Sequence, residues 1–203
     1  MLKTAIFGGT FNPPHNGHIA MLSGIADLPE IEKILVMPAN IPPHKAGDIA
    51  TAHHRVNMCK MAFNGIKKAE LCLLEFELEG KNYTLNTLKR LKERSVENPV
   101  LVIGADSLIN FDKWYEYEQI LNMAELYVYP RQGMGKSLVL TAKAFIEGKG
   151  GAVTLLNQSP PGISSTLVRD RILNKKPIND FVPSAVAEYI KENGLYNGTN
   201  LFK

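Results

Sequence analysis

The stretch AIFGGTFNPPHNGHIAML, Ala5 to Leu22, sets an apolar run against paired glycines, paired prolines and two histidines, and it carries no acid. The first Asp or Glu of the chain is Asp27. Lys3 to Phe7 reads as a buried strand, and Gly17 to Ala26 places Ile19, Leu22, Ile25 and Ala26 on one helical face. Gly8 and Gly9 end the strand where a backbone can turn tightly and approach a ligand closely. Pro13 and Pro14 hold the next residues extended and keep the helix from starting early. Asn16 is the expected N-cap, which puts His18 in the first helical turn. Free N–H groups and the positive end of the helix dipole favour an anion there. His15 and His18 can then both face that anion. An isolated H-x-x-H also reads as surface histidines on a strand–helix connection. A zinc pair would need further ligands, and His44, His53 and His54 are not spaced to close such a site.

The rest of the chain alternates. Strand patterns at Lys33–Met37, Ala69–Leu78, Pro99–Asp106, Glu125–Pro130 and Gly151–Asn157 are separated by helical patterns. Those helices fall at Thr51–Ile66, Thr84–Glu93, Asp112–Met123 and Lys136–Glu147, and two more, near Ser164–Asn174 and Pro183–Asn193, close the chain. This spacing predicts βαβ units. The expected fold is α/β and Rossmann-like: a doubly wound, mostly parallel sheet with helices on both faces. The 203 residues suit a single domain over 1–203, with a C-terminal helical part over about 163–203. A net charge of +3 is too small to point to nucleic acid or a membrane surface, and no apolar run is long enough for a membrane helix. Cys59 and Cys72 form neither a C-x-x-C motif nor a disulfide framework, which favours a reducing, cytoplasmic home. Oligomeric state is left open, a homo-oligomer included.

In open α/β sheets ligands sit beyond the carboxyl ends of the strands. The candidate loops are therefore 8–18, 38–45, 104–107 and 157–166. The last belongs to NQSPPGISSTLVRDRI, Asn157 to Ile172, which again runs through Pro-Pro-Gly to hydroxyls at a helix start. Ser164, Ser165 or Thr166 is the cap. A capping box would place Glu or Gln three residues later, but Leu167, Val168 and Arg169 stand there. A cation so near a helix N-terminus is mildly unfavourable unless a bound anion offsets it. By itself Arg169 could equally reach solvent or Asp170. Two acid-free helix starts of one design, taken together, suit a polyphosphate spanning both.

At these residues the chain resembles a known superfamily. GGTFNPPHNGH, Gly8 to His18, resembles the G-x-F-[DN]-P-x-H-x-G-H motif of the nucleotidyltransferases, and ISSTLVR, Ile163 to Arg169, resembles their second signature. MPANIPPHK (37–45), NYTLNTL (82–88) and IGADSLINFDKWYEYEQIL (103–121) are similar to the bacterial nicotinate-nucleotide adenylyltransferase family within it. The resemblance covers nearly the whole chain; Asn12 stands where many members carry Asp, and Asn82 where Ser is commoner. It implies the reaction of ATP with nicotinate mononucleotide to give deamido-NAD and pyrophosphate, a step of NAD synthesis.

The residue types suit that chemistry. A phosphate nucleophile is already an anion and needs no general base, so catalysis can rest on positioning and charge neutralisation. The resemblance implies His15, His18 and Arg169 as the catalytic residues, with His18 on the α-phosphate and His15 beside it. ATP would be bound by Gly8, Gly9, Thr10, Phe11, Asp106, Ser164, Ser165 and Thr166, with Asp106 on the adenosine ribose. Asp106 could also be the N-cap of the helix that follows it. Nicotinate mononucleotide would meet His44, Lys45, Thr84, Trp114 and Tyr115, with Trp114 stacked on the pyridine ring. Mg²⁺ would ride on phosphate oxygens rather than on protein ligands.

Other acceptors, nicotinamide mononucleotide or phosphopantetheine, stay open, as does a non-catalytic nucleotide sensor. RQGMGKS, Arg131 to Ser137, imitates a P-loop, but Pro130 stands where the pattern needs its first Gly, so a surface loop is expected.

Overall fold

Period-two alternation in the strands decides the layers of the computed structural model, which describes residues 1–40, 49–78, 82–131 and 133–198. In β1 (Lys3–Gly9), Ala5 and Phe7 face one core and Ile6 the other. β2 (Ile31–Pro38) repeats this, with Ile34 and Val36 opposed to Leu35 and Met37. Strands apolar on both faces must be covered on both faces. α1 (Asn16–Ala26) and α2 (Ala52–Phe63) cover the first side, where Leu22, Ile25, Met58 and Cys59 are fully buried.

The chain continues through β3 (Ala69–Leu71), α3 (Thr84–Glu93), β4 (Pro99–Gly104), α4 (Ala105–Ile109), α5 (Tyr117–Leu121) and β5 (Glu125–Tyr129). It ends with α6 (Lys136–Gly148), β6 (Val153–Leu155), α7 (Ser165–Leu173) and α8 (Ser184–Glu192). Leu85, Leu88, Leu108, Ile120 and Ile146 of α3 to α6 fill the second core. Val168, Val186 and Ile190 of α7 and α8 return to the first. The described strands form one parallel sheet in the order β3-β2-β1-β4-β5-β6. This is the doubly wound α/β arrangement, and its order reverses between β1 and β4, where the crevice beyond the strand ends opens. No helix among the described residues is long and apolar enough to cross a membrane.

Two elements depart from the sequence expectation, and both departures build the crevice. The strand expected over Ala69–Leu78 pairs only through Leu71, then turns into a 3-10 helix at Leu74–Phe76. The turn sends Leu74 into the core and leaves Glu75 on a cavity wall. The helix expected over Asp112–Met123 is broken: Phe111–Lys113 is a 3-10 turn, Trp114 is extended and Glu116 has φ 52°. Continuous helix would have kept Trp114 and Tyr115 on the helix surface, whereas the break lets both line the cavity.

Ile34 is fully buried at the centre of β2. Ile34→Ala should lower unfolding free energy by about 2–5 kcal/mol, measured by urea denaturation.

Candidate active site

The loop after β1 is held by its own first glycines and by the far end of the chain. Gly8 and Gly9 are not turn residues, since both lie in β1 and the turn falls at Phe11, with φ 46°. A Cβ on Gly9 would sit 3.0 Å from the Phe11 ring, while one on Gly8 would meet nothing within 4 Å and would project where a ligand could lie. Phe11 is 2% exposed and packs edge-on against His18 at 5.1 Å and against Phe63 at 5.4 Å. Its ring supports His18, and only its backbone is available to a nucleotide.

His15, rather than Asn16, is the N-cap of α1, and His18 keeps its first-turn place. Asn16 is the first helical residue; its N–H and side-chain amide donate to the carbonyls of Phe181 and Asp180. The imidazoles of His15 and His18 stack with centroids 3.6 Å apart. The His15 backbone N–H donates to His18 Nδ1 at 3.2 Å. Because a backbone N–H can only donate, neutral His18 carries its proton on Nε2, the atom able to donate onward. Gly17 is required by close approach: a Cβ there would lie 3.0 Å from His15 Nδ1 and 3.2 Å from the Pro161 carbonyl oxygen.

His15 is 6% exposed, and its Nδ1 is buried without a hydrogen-bond partner. Burial pushes the imidazole down from 6.5 to about 4, so the ring is neutral at pH 7.

The second motif meets the first directly. Ser164 is the N-cap of α7 and its Oγ accepts from Leu167 N–H at 3.1 Å. Ser165 Oγ donates to the Pro13 carbonyl at 2.8 Å, so what Ser165 has left to offer an anion is its backbone N–H. Arg169 Nη1 donates to the Asn12 carbonyl at 2.9 Å, and Nη2 reaches Thr166 Oγ1 at 3.4 Å. Ser165 and Arg169 thus bring the start of α7 against the loop that precedes His15 and His18.

Asp106 is the second residue of α4 and not its cap, a place taken by Gly104. Its carboxylate pairs with Arg131 at 3.1 Å, both side chains about half exposed. Such a pair is worth little and exchanges readily for another donor. Arg131 belongs to the exposed P-loop imitation, which is why sequence reading passed over it.

Beside the crevice lies a cavity of about 620 Å³, lined by Gly8, Gly9 and Thr10 on one wall and by Thr84, Trp114 and Tyr115 on another. Trp114 stacks on Phe111 at 4.8 Å, and Tyr115 lies 4.7 Å from the Tyr83 ring. Thr84 is the first residue of α3, whose opening N–H groups have no intrahelical acceptors. His44 and Lys45 lie outside the described residues.

Sequence reading missed Glu75, Asn82 and Lys113, which also line the cavity. Burial pushes the Glu75 carboxyl up to about 7, against the Thr87 hydroxyl that donates to it at 3.2 Å and the Arg55 charge. Asn82 donates to the Glu75 backbone carbonyl at 2.8 Å, joining the 3-10 turn to the start of α3. A glutamate inside a strand-like run was the available signal.

The strand order and two helix starts sharing one loop define a class, and residues 6–171 match the Cytidylyltransferase-like family. The chain is 36% identical to nicotinate-nucleotide adenylyltransferase of Bacillus subtilis strain 168, covering 97% of this chain and 99% of that one. It belongs to the nicotinate-nucleotide adenylyltransferase family within that class. Its fold is that of Plasmodium falciparum nicotinic acid mononucleotide adenylyltransferase. The complex with NaAD matches with TM-score 0.79 at 23% identity, and that with APC with TM-score 0.78 at 21%; each covers 97% of this chain and 98% of the other.

The neutral state of His15 has a consequence for stability. Between pH about 4 and 6.5 the unfolded chain binds a proton at His15 that the folded chain does not. Its contribution is therefore complete above pH 6.5 and is lost as pH falls toward 4. Glu75, raised to about 7, acts in the opposite sense, since the folded chain retains a proton there that the unfolded chain has lost. Comparison with His15→Gln isolates the histidine. From neutral pH to about pH 4.5, wild type should lose roughly 2–3 kcal/mol more stability than the variant in urea unfolding.

Proposed function

We propose that this chain transfers the adenylyl group of ATP to nicotinate mononucleotide, giving deamido-NAD and pyrophosphate. A mononucleotide phosphate oxygen bonds to the α-phosphorus as the bond to the bridging oxygen breaks and pyrophosphate leaves. The observation that supports this reading is the pair of bonds from Ser165 and Arg169 to the Pro13 and Asn12 carbonyls, which bring the start of α7 against the loop that leads from the cavity-lining Gly8, Gly9 and Thr10 to the start of α1. His18 donates from Nε2 to the α-phosphate as its charge builds, and His15 lies against the triphosphate. Arg169, Ser164 and Thr166 hold the β- and γ-phosphates. Backbone N–H groups of Gly8 to Phe11 and of Ser165 complete that cradle.

Asp106 releases Arg131 to accept the adenosine ribose hydroxyls. In the cavity Trp114 stacks on the pyridine ring. Its carboxylate meets the first N–H groups of α3 at Thr84 and the backbone at Tyr115, an arrangement that favours an acid over an amide. His44 and Lys45 supply positive charge to the mononucleotide.

The groove offers N–H groups, hydroxyls and cations, a donor set that suits phosphate oxygens. Among the described residues no cluster of three His, Cys, Asp or Glu side chains is disposed to hold a metal. Mg²⁺ enters with its substrate, carried on ATP oxygens, a reading supported by its preference for water and phosphate ligands. Residues 1–203 act as one domain, a reading supported by bonds from Asn16 to the Asp180 and Phe181 carbonyls and from the Tyr196 hydroxyl to Asn12. Two unbridged cysteines, Cys59 and Cys72, support a cytoplasmic home.

Pyrophosphate release with nicotinate mononucleotide, nicotinamide mononucleotide and phosphopantetheine tests the assignment. Efficient turnover is expected with the first, and none with it overturns the reading. His18→Ala should lower kcat by at least ~10² while changing ATP affinity much less, by titration calorimetry. Collapse of ATP binding without a separate loss of kcat would remove His18 from the transition state.

A further inference from the structure

Arg55 has no part in the chemistry above, yet it is 1% exposed, a buried cation at the start of α2. Its Nε donates to the Ala50 carbonyl at 3.1 Å. Nη1 donates to Thr10 at 3.0 Å and Ala39 at 2.6 Å, and Nη2 donates to Asn40 at 3.0 Å. All four acceptors are backbone carbonyls; Glu75 acts on the guanidinium only through space. Among the described residues the guanidinium bonds no carboxylate; a buried charge is costly, and charge-assisted bonds to these carbonyls help offset it. A leucine at this place would need none of that, so a core-filling role does not account for it.

The four carbonyls belong to three separate segments: the loop after β1, the end of β2 and the residue before the Thr51 cap of α2. Thr10 and Ala39 line the cavity, and Ala39 N–H also bonds the Gly9 carbonyl at 2.9 Å. Arg55 thus fastens one cavity wall from behind. On the triphosphate side its direct hold is on Thr10, whereas on the acceptor side it holds both Thr10 and Ala39. Ala50 N–H donates to Asn12 Oδ1 at 3.0 Å, and only the Asn12 carbonyl then meets Arg169.

We propose that Arg55 is a positioning residue for the mononucleotide acceptor, its planar fork holding the Thr10 and Ala39 backbone in the register that the acceptor requires. The inference rests on nicotinate mononucleotide occupying that cavity. Only a guanidinium has the geometry: its five N–H donors are spread in a fixed plane, whereas a lysine ammonium directs three from one point and cannot span three segments.

Arg55→Lys keeps the charge and loses the fork. Its KM for nicotinate mononucleotide should rise about 10-fold or more, with a smaller rise of up to about 3-fold in KM for ATP, which shares Thr10, and kcat within about 3-fold of wild type. Arg55→Gln should show the same split. An Arg55→Lys enzyme with an unchanged acceptor KM beside a weakened Arg55→Gln enzyme would make charge, and not the fork, the agent, and would overturn the proposal. Equal rises in both KM values would assign Arg55 a general structural role and overturn it as well. Added guanidinium ion with Arg55→Ala is a further measurement: it should lower the acceptor KM more than that for ATP, and no lowering counts against the proposal. Wild-type turnover of nicotinate mononucleotide is read in the same assay, so failure of the assigned reaction is distinguished from failure of the role of Arg55.

Discussion

Two hydrogen bonds, from Ser165 Oγ to the Pro13 carbonyl and from Arg169 Nη1 to the Asn12 carbonyl, join residues 152 and 157 positions apart. They set the start of α7 against the loop that leads into α1. The same loop is tied to Phe181 and Asp180 through Asn16, and to Tyr196, whose hydroxyl donates to Asn12 Oδ1 at 2.7 Å. A four-way junction therefore forms where β1 meets α1, at the switch point of the sheet. Val168 beneath it is fully buried with Phe11 and Phe63, so the same apolar core that closes the fold also aligns the polar groups above it.

Electrostatics at the crevice follow from what is left out as much as from what is present. His15 is held neutral by burial and Glu75 is raised to about 7 by the same cause. The only buried cation among the described residues, Arg55, bonds neutral carbonyls. The Arg131–Asp106 pair, by contrast, stays about half exposed. Burial supplies shape here and leaves charge at the mouth.

Some sequence signals proved less selective than others. An acid-free first turn, which drew notice to Gly17–Ala26 and Ser164–Asn174, is shared by α1, α2, α3, α6, α7 and α8. Lack of acid therefore does not set these two helix starts apart from the others. Glycine at Gly8 and Gly9 was rightly noticed, but extended strand and clearance around Phe11 explain it rather than a turn. The Trp114 segment was read as helix because its apolar spacing satisfies that period, and only packing of Trp114 on Phe111 beside the cavity breaks it.

What the sequence determined by itself was local: which residues alternate, where helices begin, and which two loops carry groups for an anion. Those features depend on a residue and its near neighbours, so period and turn chemistry reveal them. Tertiary structure alone decided that His15 caps α1, that the Ser165 hydroxyl bonds Pro13, that Glu75 faces a cavity and that Arg55 holds three segments at once. Each of these is settled by partners distant in sequence or by burial, and burial exists only once the whole sheet has closed over both cores.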